Sequence, residues 1–433
     1  MSETIHKDNV FRNRNFRLVF FGALVSELGA ILYSFAVSFY ILDISRNNAF
    51  LQGLYLALCS IAMLVLTPVG GVLGDRMSKA RIMYLCDYLK GGMILLATGL
   101  MGLFPESSQQ LVILFVLGIL ANMVSGIFNP AAGALFPHIV WEDQLQQANS
   151  YFTMKNALEN IFGIILAGVL YAAMPVRALF AFVGLCYIAS GISEMLIRYE
   201  FHPSADRLTL KLALSDMADG INYLRTKKAI LTLLIATLFI NFFFSPVTGN
   251  FLPFFIKTDL AGAPHYLLDD LLTPEQWSSL FFASFGVSSL LGAAVLSGRP
   301  QSDKCGRKVS LLLCAVAAVM VCITGCYLIF VDRGTQISYF LIAFSLGFFA
   351  IGILITNTNI PINTTIMRIV DRDKLSKVSS IISIGSQGMI PIASVLAGII
   401  LRAFGSTALL AFCTLGFTVT AVVLLLNPQI KEL

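Results

Sequence analysis

Apolar runs long enough to cross a bilayer as helices, about 20 residues each, recur from one end of this sequence to the other. Nothing constrains the fold more, because a backbone in hydrocarbon must bond to itself, and a helix does so within one segment. Twelve runs can be marked out, at 17–42, 50–74, 80–104, 110–135, 148–174, 177–199, 229–256, 276–298, 308–331, 336–362, 377–402 and 405–427. Only 12% of the 433 residues are charged, against about 25% in an ordinary soluble domain. The expected fold class is an all-α polytopic membrane protein with twelve transmembrane helices, and the lipid bilayer is its first partner.

Basic residues set the expected orientation. Of the 29 Lys and Arg, five (Arg46, Arg177, Lys257, Arg333 and Arg402) fall in loops on one side, Lys90 and Lys155 lie inside spans, and the remaining 22 collect on the other side. Cytoplasmic segments carry such an excess, which puts both termini in the cytoplasm and the protein in the cell membrane. The same sorting accounts for the net charge of +5 with no nucleic acid as partner. The N-terminal "MSETIHKDNVFRNRNFR" is polar and basic, with no small-residue cleavage site after the first run, so that run is expected to stay as a span. The eight cysteines form no C-x-x-C pair, and His6, His138, His202 and His265 are scattered. No metal site, cofactor, nucleotide-binding G-x-x-x-x-G-K-[ST] loop or nucleophile–base arrangement of an enzyme is expected. A monomer is expected.

The longest polar segment divides the chain into an N-terminal six-helix bundle (1–199), a cytoplasmic linker (200–228) and a C-terminal six-helix bundle (229–433). In the linker Leu210, Leu214, Met217, Ile221 and Leu224 recur at helical spacing, the pattern of an amphipathic helix on the membrane face. The outward loop 257–275 leads into "TPEQW", where Thr273, Pro274 and Gln276 form a capping box. The halves repeat. "GGVLGDRMSKAR" after span two is echoed by "LSGRPQSDKCGRK" after span eight, pairing Asp75 with Asp303. "LAGVL" (166–170) pairs with "LAGII" (396–400), and Pro130 with Pro361. Parallel six-helix repeats predict two pseudo-symmetric bundles with a binding cavity at their interface.

"G-x-x-x-D-R-x-[GS]-[KR]" after span two, with its echo, resembles the signature loop of the major facilitator superfamily. "LALSDMADGINYLRTKKAILTLL" and "FNPAAGALFPHIVWEDQLQQANS" resemble its drug:proton antiporter subgroup, with macrolide-efflux, siderophore-export and lysophospholipid-transporter proteins. Two departures stand out. Ser78 replaces the loop's usual glycine, and the glycine–proline run of span five in drug antiporters is reduced to Gly163 and Gly168. The resemblance implies a gating latch between the halves at Asp75, Arg76 and Arg81, echoed by Asp303 and Arg307.

Charges inside the spans carry the chemistry. A charge at mid-bilayer costs about 2.5–3.5 kcal/mol on insertion scales, so such residues face a bundle interior or a cavity. On these boundaries the span interiors carry them in the first half alone: Glu27, Asp87, Lys90, Lys155 and Glu159, with Glu194 nearer the inner end of span six. Glu27 and Glu159 lie near mid-depth, and Lys155 and Glu159 share a helical face. Glu27 has no basic neighbour on its own helix, so its proton can come and go with solvent access; Lys90 or Lys155 could instead pair with it. Glu27, Glu159, Lys90 and Lys155 are the expected proton-coupling set, while Asp87 and Glu194 are expected to snorkel to the inner surface.

Uncharged polar groups mark the expected substrate cavity: Asn122 and Asn129 in span four, Asn241 in span seven, Asn357 and Asn359 in span ten, and Gln387 in span eleven. The aromatic run Phe242–Phe244 stands beside them. A cavity acidic on one wall and apolar with amides on the other suits a small amphipathic substrate. The expected function is a secondary active transporter, a proton-coupled exporter of amphipathic or hydrophobic small molecules working by alternating access. The alternatives are a lysophospholipid-type lipid transporter or flippase, and a non-transporting membrane receptor or scaffold.

Overall fold

The computed structural model describes residues 10–140, 144–199, 222–225, 227–297, 305–333, 336–370 and 387–427. Its long elements are all helices. In chain order α1 is Arg14–Ile44, α2 Ala49–Arg76, α3 Lys79–Leu103 and α4 Ser107–Ile139. Helix α5 runs Leu145–Leu158, passes through a π-helical turn Glu159–Gly163 and continues as Ile164–Ala173. Helix α6 is Val176–Met195 and α7 occupies 228–260, with π-helical turns at Val247–Phe251 and Ile256–Leu260. Then follow α8 (Pro274–Ser297), α9 (305–332) and α10 (Ile337–Ile369). Gly405, at φ +79°, divides the last helical stretch into α11 (390–404) and α12 (406–426).

Ten of these stretches are long and apolar enough to cross a membrane. Helix α3, whose apolar run is interrupted by Asp87 and Lys90, and the separate α11 and α12 complete the twelve of a polytopic all-α fold. The internal repeat maps onto matching helices: "LAGVL" lies in α5 and "LAGII" in α11, Pro130 in α4 and Pro361 in α10.

The chain divides into two compact units, one formed by Met1–Tyr40 with Leu58–Ala213 and the other by Ile41–Ala57 with Leu214–Leu433. The α1–α2 connection thus packs with the second unit. The expected linker helix falls largely on 200–221, outside the described residues.

In the first unit α3 packs against α4 and α6. Small residues let membrane helices approach closely, and here the fit is tight. A Cβ on Gly91 would stand 2.8 Å from the Gly184 carbonyl oxygen, and one on Gly184 2.7 Å from Leu95 Cγ. Asn13 caps α1, its Oδ1 accepting from the Asn15 and Phe16 N–H groups. In the second unit α10 packs against α8 and α9, and the α7 and α9 helices against α12. Its core is a column of rings: Phe251, Phe255, Phe281, Phe340, Phe344 and Phe348 are fully buried, with successive centroids 4.5–5.7 Å apart. Rings at such separations attract beyond their area burial. Helix α8 starts at Pro274, and Gln276 Oε1 accepts from the Thr273 N–H at 2.9 Å, the reciprocal half of the expected capping box.

Candidate functional site

Lys155 is the centre of the first site. It projects from α5, and its side chain is fully enclosed. Its ammonium lies 2.5 Å from Glu27 Oε2 of α1 and 2.9 Å from Glu159 Oε2, one turn further along α5. The second contact follows from i,i+4 spacing. The first requires α1 and α5 to come close, and Gly163 permits it: a Cβ there would meet Ile31 and Leu28 side-chain atoms at 3.0 and 3.2 Å. Glu159 opens the π-helical turn that ends at Gly163, a feature found frequently at functional sites. The Glu27 side chain is 50% exposed, whereas Glu159 is buried and its Oε1 accepts no hydrogen bond among the described residues.

Two carboxyls therefore share one ammonium. One is shut in and one is open. With both carboxyls ionised the group carries one net negative charge, and Glu27 is the carboxyl that is open.

Lys90 does not join this set. It pairs along its own helix with Asp87, at 3.5 Å, and its ammonium lies over the rings of Phe128 and Tyr187 at 4.4 and 4.9 Å. Asp87 and Glu194 do not snorkel: both are wholly buried within the first unit, enclosed by protein because α1, α3 and α6 close around them. Depth along the chain led to the opposite expectation, since it cannot show which face of a helix is covered.

Of the latch set, Asp75 and Arg76 end α2, Arg81 is exposed in the first turn of α3 and Arg307 is exposed in the first turn of α9; Asp303 lies outside the described residues. Ser78 sits at φ −55°, ψ 120°, backbone that any residue adopts, so this loop has no need of glycine there. Its hydroxyl and the Lys79 N–H both donate to the Tyr199 hydroxyl, at 3.3 and 2.6 Å.

Three of the amides expected to line a cavity make local bonds. Asn122, Asn241 and Asn357 each donate Nδ2 to the carbonyl four residues earlier in their own helix, at 2.8–3.0 Å, a local bond typical of short polar side chains. Asn129, Asn359 and Gln387 are exposed. A cavity of about 430 Å³ lies elsewhere, between α7 and α12, lined by Ile235, Phe239, Phe243, Phe412, Leu415 and Val419 among others. Gly416 makes room there for the Phe243 ring.

The second unit holds ionisable groups that the span boundaries missed. Helix α7 continues four residues beyond its expected end at 256 and so takes in Lys257 and Asp259. Lys257 bridges Asp43 at 2.8 Å and Glu275 at 2.7 Å. Asp259 Oδ2 accepts from the Tyr327 hydroxyl at 2.8 Å and from Ser406 at 3.1 Å. These partners let a helix keep charges inside its length, and they come from distant segments that no local pattern links. In the loop that follows, the His265 ring beside Asp269 at 3.2 Å holds that carboxyl below its usual range.

A twelve-helix membrane fold with charges enclosed in the interior of one helical unit defines a membrane transport protein. A model of the Major Facilitator Superfamily matches residues 19–392, and the chain belongs to that superfamily of transporters. It is 25% identical over 385 residues to the uncharacterized MFS-type transporter YkuC of Bacillus subtilis (strain 168), covering 86% of this chain and 82% of that one. It is 22% identical over 288 residues to macrolide efflux protein A of Streptococcus pyogenes, covering 65% of this chain and 67% of that one. Among solved structures, a POT family transporter in complex with 5-aminolevulinic acid shares the fold at a TM-score of 0.74 and 14% identity, with 97% of each chain covered.

Proposed function

We propose that this chain is a proton-coupled exporter of amphipathic or hydrophobic small molecules, resident in the cell membrane with both termini cytoplasmic and active as a monomer. The observation that carries the reading is the sharing of Lys155 between a half-open Glu27 and an enclosed Glu159. A proton arriving at Glu27 leaves Lys155 paired with Glu159 alone and the group neutral. Departure of that proton restores the negative charge and favours a cationic substrate in its place. Proton and substrate then alternate at one site, and alternation between the two faces of the membrane makes the cycle an antiport. Each charge moved through 100 mV supplies about 2.3 kcal/mol. Export is supported by the likeness to the macrolide efflux protein.

The test uses purified protein in proteoliposomes with erythromycin as an amphipathic cationic probe. The wild type is expected to accumulate it under an imposed pH gradient and to lose accumulation when a protonophore collapses that gradient. Accumulation indifferent to the gradient overturns proton coupling.

One observation favours a second reading, a carrier of lysophospholipid-like molecules: the cavity between α7 and α12 is walled almost wholly by apolar side chains. Transport of a lysophosphatidylethanolamine probe without any pH gradient would support it over the first.

A further inference from the structure

The first unit encloses a second set of charges that the proposed coupling leaves unused. Asp87 and Lys90 on α3 and Glu194 on α6 are 0%, 6% and 0% exposed. All four oxygens of the two carboxyls are closed off and lack a well-formed hydrogen bond among the described residues, and Ser190, one turn before Glu194 on α6, faces Asp87. Lys90 faces Asp87 at 3.5 Å. A Cβ on Gly191 would stand 2.7 Å from Tyr88 Cε1 and 3.3 Å from the Tyr84 carbonyl oxygen, which sets the α6 turn carrying Ser190 and Glu194 against the α3 turn carrying Asp87.

Charge does not balance. Two carboxyls and one ammonium leave one negative charge over, and a lone ionised carboxylate in a dry interior is costly enough that the group neutralises instead. Among the described residues the neighbouring titratable groups supply no second cation: they are Cys86 on α3, Tyr187 on α6, and Tyr33 and Glu27 on α1. Helix α4 presents the Phe128 ring to Lys90. A metal ion would need room, and α1 closes over the site: a Cβ on Gly22 would lie 3.5 Å from both Glu194 Cγ and Ser190 Oγ. A proton needs none.

We propose that Asp87 and Glu194 form a second proton-binding site, holding one proton between them in the interior formed by α1, α3 and α6. The proton is shut in with the carboxyls, so it exchanges with solvent only when α1 parts from α6. The pair shares no ion pair with Glu27, whose partner is Lys155.

The test is infrared spectroscopy of purified Glu159→Gln protein, a background without the other enclosed carboxyl. A protonated carboxyl has a C=O band apart from those of carboxylates. With ¹³C-carboxyl aspartate or glutamate incorporated, that band is expected to shift with at least one label. It is expected to move slowly in D2O and to vanish in Asp87→Asn or Glu194→Gln. Labelling needs no variant in the pair, so a variant that fails to fold leaves the test intact. Absence of a protonated-carboxyl band, or one unchanged in both variants, overturns the proposal. So does a stability that rises in NaCl over choline chloride, which would put a cation there.

Discussion

Lys155 and its two carboxyls give opposite expectations for two single substitutions. Lys155→Met leaves Glu27 and Glu159 side by side without a cation, and breaking a buried pair in this way costs about 3–5 kcal/mol. Thermal unfolding in detergent should show that loss as a sharply lower Tm or as failure to accumulate. Glu27→Gln leaves Lys155 with Glu159 at 2.9 Å. Because Glu27 is half-exposed, the stability change is expected to stay within about 1 kcal/mol. An equally damaging Glu27→Gln would make the group structural rather than functional. In the second unit, Tyr327→Phe removes one of the two hydroxyls on Asp259 and leaves that acceptor poorly satisfied. A loss of about 1–3 kcal/mol is expected, read as a lower Tm that Tyr327 alone restores.

Helices were the legible layer of this sequence, because a period of apolar residues is a local property. Their number, the α8 cap and most of their starts among the described residues follow from patterns within a few residues. What lay beyond reading was lateral. Gly163 meets α1, Gly91 meets the α6 backbone, and Lys257 meets Asp43 and Glu275; each contact joins segments far apart in the chain. The charges of the first half were legible as residues, and Lys155–Glu159 as a pair. The choice of Lys155 over Lys90 as partner of Glu27 depends on how α1 and α5 rotate, which periodicity does not encode. Span ends suffered most: π-helical turns carry α7 past its apolar run and draw two charges into the helix. The element-scale prediction concerns the α11–α12 turn. Gly405 holds φ +79°, ψ −177°, a conformation nearly closed to other residues, so Gly405→Ala is expected to cost about 1–3 kcal/mol although a Cβ would meet nothing. Unfolding measurements showing no change would mean that the turn relaxes freely.

Across the whole molecule the two units have different interiors. The first encloses five of the sequence's intramembrane charges beside the half-open Glu27, and the second is built on stacked phenylalanines with charges gathered near the α7 end. The proposed coupling draws on the first. The latch implied by the resemblance predicts an effect on turnover: Asp75→Asn is expected to express and melt as the wild type does while transporting more slowly, and a wild-type rate in the same vesicles would remove Asp75 from the cycle. The most direct test of the coupling itself is proton movement through Glu27. In proteoliposomes loaded with pyranine, adding erythromycin to wild-type protein should drive a change in internal pH. The same addition to Glu27→Gln, shown by thermal shift to be folded and to bind erythromycin, should leave internal pH unchanged. Wild-type proton movement in folded Glu27→Gln would contradict the account.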